Sequence, residues 1–285
     1  MKPRVVVVSW VALVAASLVA CNPTERETDA SAESESLRLV TLAPHLAEIV
    51  ASAGAAEVLV GVSAYTDFPA EVADLPIVGD GFRVDAEALL ALKPTHVLAW
   101  GGGGQVDSIA LVQELGLNLV IIETRSLADI APAIRQVGAL AGTNDVAESV
   151  AARFETDIAA LSYEGVRLSV FYQIGERPLY TVNGDHFISD LVARCGGDNV
   201  FAELETLAPV VSVEAVVRED PAVILTGSDA GAIAALWQRW PDLGAVRDNR
   251  ILGVPGDLIG RPGPRLAAGG RAICEALDAA RRSGG

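Results

Sequence analysis

Residues 84–99 and 211–226 carry the same pattern in register: a cap residue (Asp85 or Ser212), a short helix, a proline that stops it (Pro94 or Pro221) and a continuous apolar run of strand length. Each copy also puts a glutamate in its first helical turn, Glu87 in one and Glu214 in the other. A helix–strand unit buries its apolar face only against further units, so a chain containing it twice is expected to build two similar α/β lobes.

The surrounding segments extend that expectation. Apolar runs predict strands at 38–42, 58–62, 97–100, 119–123, 167–173, 180–182, 223–226 and 250–254. Helical spacing predicts helices at 46–53, 106–115, 127–140, 187–194, 230–240 and 265–281, with a short helix or loop at 71–75 and Cys195-Gly196-Gly197 as a helix terminator. Strands alternating with helices argue for parallel sheets, whose ligands sit outside the strand carboxyl ends. Between the halves, Val146, Val150, Phe154, Ile158 and Leu161 fall at helical spacing, which predicts one long helix over 144–163 capped by Thr143 or Asn144. The expected organisation is an α/β fold of two lobes with parallel sheets, residues 37–142 and 166–285, joined by a rigid linking helix within 143–165, with the ligand cleft between them.

The start of the chain reads as a targeting segment. Lys2 and Arg4 precede an apolar run over 5–20, and Leu18-Val19-Ala20-Cys21 closes it as a bacterial lipobox. A leader over 1–20 and lipid attachment at Cys21 are therefore expected, making an exported, membrane-anchored lipoprotein. Residues 21–36 are rich in Glu, Ser, Asp and Thr and contain no aromatic side chain, which is the composition of a solvated tether. With 37 acidic against 21 basic residues and a formal charge of −16, the chain is expected to avoid nucleic acid. Export leaves Cys195 and Cys274 in an oxidising compartment. They are expected to pair, worth about 3 to 5 kcal/mol, with two free buried thiols as the alternative.

Few residues point to catalysis. The glycine run after Trp100 lacks the lysine and hydroxyl residue of a phosphate loop and reads as a tight strand-to-helix turn. No nucleophile elbow or HExxH pattern is present, and no metal site is expected. Of the three histidines, His96 stands at a strand entrance and reads as packing; His45 and His186 fall in cleft-facing turns, where either one ligates a metal or hydrogen bonds a ligand. An exported enzyme would need such a histidine to converge with a carboxylate such as Asp257. Tyr65, Phe82, Trp100, Tyr172 and Tyr180 fall near strand ends and loops, where aromatic faces hold large flat ligands; Phe187, Trp237 and Trp240 suit core packing equally.

Four segments together carry a resemblance: Thr41-Leu42-Ala43-Pro44, Gly61-Val62-Ser63-Ala64-Tyr65-Thr66-Asp67-Phe68-Pro69, Ala91-Leu92-Lys93-Pro94-Thr95-His96-Val97-Leu98-Ala99-Trp100 and Cys195-Gly196-Gly197-Asp198-Asn199-Val200-Phe201. In combination the chain resembles the solute-binding proteins of ABC importers for cobalamin, haem and iron-siderophores, most closely the cobalamin-binding branch, from residue 38 to the terminal helix. The resemblance implies two lobes joined by a long helix, a cleft ligand, no catalytic cofactor, and docking onto a two-fold ABC permease of the inner membrane; the sequence itself shows no obvious oligomerising stripe, so a monomer is expected. Tyr65 and Trp100 match aromatic positions that line the corrin cleft, and Asp257 and Arg261 a polar pair near the ligand. Glu87 and Glu214 match the glutamates that meet permease arginines, and Cys195 and Cys274 a disulfide. The chain departs from the pattern at Gly81, beside Phe82, where a tryptophan stands in the family, and at Leu258 and Ile259, which replace aromatics. The expected cargo is cobalamin or a related corrinoid, then haem, then a ferric siderophore; an anionic siderophore would need convergent cations, and the cleft edges offer mainly Arg83, Arg177 and Arg261.

Overall fold

The computed structural model describes residues 36–283 apart from Gly103; the leader, Cys21 and most of the tether lie outside the described residues. The first lobe runs β1 (Leu39–Thr41), α1 (Pro44–Ser52), β2 (Leu59–Gly61), α2 (Ala70–Ala73), α3 (Ala86–Ala91), β3 (His96–Trp100), α4 (Val106–Glu114), β4 (Leu119–Ile122) and α5 (Leu127–Ala141). Helix α6 (Asn144–Ala159) leads to the second lobe. There follow β5 (Leu168–Gln173), α7 (Phe187–Arg194), β6 (Gly197–Asn199), α8 (Val213–Glu219), β7 (Val223–Thr226), α9 (Ala230–Trp237), α10 (Gly244–Arg247), β8 (Ile251–Gly253), α11 (Gly256–Ile259) and α12 (Leu266–Arg282).

Each lobe holds a four-stranded, all-parallel sheet, ordered β2-β1-β3-β4 in the first and β6-β5-β7-β8 in the second. The two repeat copies are α3–β3 and α8–β7, and their strands occupy the same place in the two sheets. The likeness extends to the backbone: Lys93 and Asp220, each preceding the repeat's proline, both take left-handed φ values, 46° and 42°, a conformation that few residues other than glycine adopt.

Parallel strands covered on both faces alternate side chains between two cores. On β3, Leu98 joins the central core while Val97 and Ala99 face an outer core built with Leu89 and Val112. On β7, Val223 and Leu225 join the central core while Ile224 faces a second outer core around Phe171 and Trp237. The central core is continuous from α1 and α5 through Phe154 and Ile158 of α6 to Leu191 of α7 and Ile273 of α12. The linking helix is therefore embedded in shared apolar packing, which stiffens the joint beyond what the helix alone supplies.

Four details differ from expectation. The hydroxyl of Thr143 donates to the Ala53 carbonyl at 2.6 Å instead of capping α6, tying the linking helix to the end of α1. The helix also ends at Ala159, before Tyr163, whose ring lies 3.6 Å beneath the Arg281 guanidinium of α12. In the second lobe, residues 180–182 form only an isolated antiparallel bridge, Tyr180 to Val210, and the fourth strand is Gly197–Asn199, which begins on the last glycine of the Cys195-Gly196-Gly197 terminator. Gly-Asp-Asn has little strand propensity. Tertiary contacts impose the strand: a Cβ on Gly197 would press to 2.5 Å from Val192 and 2.9 Å from Val170. Asp198 takes a 2.7 Å hydrogen bond from Arg167, and the Asn199 amide donates to the Val182 carbonyl at 2.8 Å.

Cys195 and Cys274 form the expected disulfide, joining the end of α7 to α12 across 79 residues. Closing a loop of that length stabilises the fold by about 4 to 5 kcal/mol in the chain-entropy picture.

Candidate functional site: an interlobe cleft

The carboxyl ends of the two sheets face a cavity of about 440 Å³. Trp100, Gly102, Thr124 and Arg125 line it from the first lobe, and Asp185, His186, Phe187 and Leu207 from the second. Trp100 ends β3, and its position is fixed from behind. Its backbone N–H donates to Gln105 Oε1 at 3.0 Å, the Gln105 amide donates to the Leu42 carbonyl at 2.7 Å, and the indole meets the His45 ring edge-on with centroids 4.8 Å apart. The indole Nε1–H has no partner among the described residues.

The two histidines singled out in the sequence occupy different settings. His45, in the first turn of α1, is buried, and its Nε2 lies 3.3 Å from the Thr124 hydroxyl. Burial, with a smaller contribution from the Arg261 charge, pushes its pKa down to about 3, so the ring is neutral. His186 caps α7 and faces the cavity; burial lowers its pKa to about 4. Asp257 bonds Arg265, not either histidine, so the pairing an enzyme would need does not form among the described residues. His96 is half-buried at the head of β3, with Nδ1 at 3.2 Å from the Thr95 hydroxyl, in keeping with packing.

Charged residues cross between the lobes at one edge of the cleft. Glu48 of α1 is buried and receives Arg265 at 2.6 Å and Arg261 at 3.3 Å, both from the second lobe. Arg261 also grips Asp67 at 2.5 Å and the Tyr65 carbonyl at 2.9 Å, while Arg265 reaches Asp257 at 3.2 Å and lies 4.4 Å over the Phe68 ring. The hydrogen bond from Arg261 holds the Asp67 carboxyl below the usual carboxylate range. Burial works against the charge on Arg261, but Asp67 and Glu48 outweigh it and raise its pKa.

The sequence-based site is thus only partly assembled. Trp100 lines the cavity. Tyr65, at φ 65°, and Phe82 stand on exposed loops, 80% and 85% accessible, and neither lines it. Asp257 and Arg261 do not bond to each other; each instead pairs within the interlobe cluster, because Glu48, Asp67 and Arg265 offer closer partners. Those three residues went unnoticed in the sequence. Glu48 carried the one available signal, an acid on an otherwise apolar helix between Leu46, Ile49 and Val50.

Glu87 and Glu214 are both exposed and both second residues of their helices, α3 and α8. The Asp85 side chain accepts from the Glu87 and Ala88 amides at 3.0 Å, and Ser212 Oγ from Ala215 at 3.2 Å. Each cap sits at a strand carboxyl edge. Asp85 N–H bonds Val78, whose own N–H bonds Val62 just past β2; Val211 N–H bonds Leu179, beside the Tyr180 carbonyl that accepts from Ile174 just past β5.

Two like lobes, each opening at strand carboxyl ends onto one shared cleft and held by a packed linking helix, define a two-lobed ligand-binding protein. Residues 39–255 match the Periplasmic binding protein family, and the chain belongs to that family. It is 31% identical over 249 residues to the vitamin B12-binding protein of Vibrio cholerae serotype O1, covering 86% of this chain and 90% of that protein. It is 32% identical over 247 residues to the vitamin B12-binding protein of Pectobacterium carotovorum, covering 85% and 88%. Among solved structures, the periplasmic vitamin B12 binding protein BtuF of Vibrio cholerae superposes with a TM-score of 0.80 at 31% identity, covering 86% of this chain and 97% of that one. The periplasmic heme-binding protein RhuT from Roseiflexus sp. RS-1 superposes with a TM-score of 0.75 at 25% identity, covering 86% and 99%.

Proposed function

We propose that this chain is the substrate-binding lipoprotein of an ABC importer, which captures cobalamin or a related corrinoid in the interlobe cleft outside the cytoplasm and hands it to a membrane permease. It acts by binding and delivery, without catalysis. The observation that carries this reading is the cavity between Trp100 and Phe187: two aromatic walls with the neutral polar groups His186 and Thr124, beside one charge of each sign on Arg125 and Asp185, suit the face and amide-bearing rim of a corrinoid. Relatives named for vitamin B12 binding, matching over most of their length, support the same cargo.

The ion pairs argue against an anionic siderophore. Arg261 is engaged with Asp67 and Glu48, and Arg125 with Glu123 at 3.2 Å, so of the cations expected at the cleft edge only Arg83 and Arg177 stay outside an ion pair among the described residues, few for a multiply charged anion. Haem is the second reading. It is favoured by the exposed Tyr65, since a phenol is a known haem ligand, and by the similarity to RhuT.

The symmetric edge suits the second half of the task. Glu87 and Glu214, at equivalent positions on equivalent helices, are placed for charge-assisted hydrogen bonds to arginines on a two-fold permease. Both helix starts also favour an acid through the helix dipole alone, but that favour does not call for a glutamate at the same position twice. Lipid on Cys21 would hold the chain at the membrane as a monomer that docks, with Tyr65, Phe82, Asp257 and Arg261 around the mouth of the cleft.

Isothermal titration of residues 37–285 with cyanocobalamin, cobinamide, haem and a ferric siderophore in parallel tests the cargo. The reading expects tight one-to-one binding of the corrinoids alone. Corrinoid silence with haem binding would transfer the function to haem import.

A further inference from the structure

His186 lines the proposed corrinoid site, and its geometry decides what it offers a ligand. It occupies the N-cap of α7, with φ −76° and ψ 138°, and its Nδ1 accepts the Ile188 backbone N–H at 3.1 Å. Imidazole here does what Ser, Asp or Asn does at most helix starts. The ring also lies against Phe187 with centroids 4.2 Å apart, which fixes its plane. An Nδ1 that accepts from an amide cannot carry a proton, so the neutral ring must carry its single proton on Nε2. Nε2 makes no hydrogen bond to any described residue and is not among the sealed buried polar atoms, so its N–H is open to the cavity that the residue lines.

We infer that His186 is a specificity-determining hydrogen-bond donor, directing Nε2–H at an acceptor oxygen on the ligand rim, and that it is not an axial ligand to the ligand's metal. Coordination needs the Nε2 lone pair. Freeing that lone pair requires moving the proton to Nδ1, where it would oppose the Ile188 N–H and break the cap, or losing it altogether. His45 cannot substitute, because it is buried with its Nε2 at the Thr124 hydroxyl. The indole N–H of Trp100 adds no second donor, because that atom is sealed from the cavity and unpartnered among the described residues. A cleft that presents an imidazole donor and no imidazole lone pair suits a metal macrocycle that arrives with its axial positions filled and its rim rich in carbonyl oxygens, which describes cobalamin. The low pKa of His186 keeps the donor unchanged through neutral and mildly acidic pH.

This inference rests on the proposed corrinoid site. Its test uses the full chain and its His186→Asn variant, because asparagine retains the helix cap while falling short of the cavity. Cyanocobalamin affinity and the visible spectrum of bound diaquocobinamide, whose axial waters exchange, are measured for both. The expected result is an unchanged melting temperature, cyanocobalamin affinity lower by roughly tenfold, the worth of one good hydrogen bond, and identical diaquocobinamide spectra. Equal affinities would overturn the donor role, and a spectral shift seen only with His186 present would overturn the exclusion of ligation. If neither corrinoid binds but haem does, the cargo reading fails separately, and the same pair is scored on haem: weaker binding without a Soret difference upholds the donor, and a His186-dependent Soret shift overturns it. If wild type binds none of the three, both the site and the inference fall.

Discussion

The two sheets are alike along one stretch of their carboxyl edge and unlike along another. Where α3 and α8 begin, the lobes match residue for residue: a capping side chain, an exposed glutamate at the second helical position, and a left-handed residue before the proline that leads into the strand. One residue beyond the repeat, the match stops. The first lobe places Trp100 there and the second places Gly227, where a Cβ would come within 3.0 Å of the Tyr172 hydroxyl and 3.2 Å of Gly256 Cα. Likeness suits a partner that is itself two-fold, and unlikeness suits a ligand that is not. On the proposed reading, one duplicated scaffold would serve both, with each task assigned to a different part of the same edge.

The largest expected effect tests what holds the unlike faces together. Glu48→Ala would leave Arg261 and Arg265 without their buried partner, and the fold should lose about 3 to 5 kcal/mol by denaturant unfolding. Loss of a few tenths would mean that the shared apolar core alone sets the lobe arrangement. Next comes the like edge. Reversing charge at Glu87 and Glu214 together should cut uptake by about a hundredfold or more while ligand affinity stays within twofold; uptake at the wild-type rate would end the docking assignment.

Acid should weaken the cleft in a set window. His45 and His186 are neutral in the fold, with pKa values of about 3 and about 4, whereas the unfolded chain protonates them near 6.5. Between those values the unfolded state binds more protons, so stability falls as pH drops below 6.5, with a slope of up to about 1.4 kcal/mol per pH unit for each histidine. Denaturant midpoints from pH 7.5 to 4.5 check the sign, and His186→Asn should flatten part of the slope.

Trp100→Ala should lower ligand affinity by about tenfold to a hundredfold with little change in uptake once the cleft is saturated. The smallest effects belong to the caps. Asp85→Ala and Ser212→Ala should each cost about 1 kcal/mol, and similar values would confirm that the two helix starts are energetically as well as geometrically equivalent.

Much of the scaffold was legible in the sequence because it is locally encoded. Caps, prolines and apolar runs announced α3–β3 and α8–β7, helix 187–194 was read to its observed ends, and Trp100 stood out as an aromatic at a strand end. What escaped notice depends on residues far apart in the chain. Strand β6 is made from Gly-Asp-Asn by packing against Val170 and Val192. The Glu48 cluster joins residues 213 and 217 positions apart, beyond any local pattern. His186 was recognised as cleft-facing, but histidine is an uncommon cap, so its ring orientation followed only from the Ile188 amide.

A crystal structure of the chain with cyanocobalamin bound tests the central division of labour most directly. The account predicts the corrin ring between the lobes, in contact with Trp100 and Phe187 and leaving Glu87 and Glu214 uncovered. A ligand seated away from Trp100, or one that covers either glutamate, would contradict it.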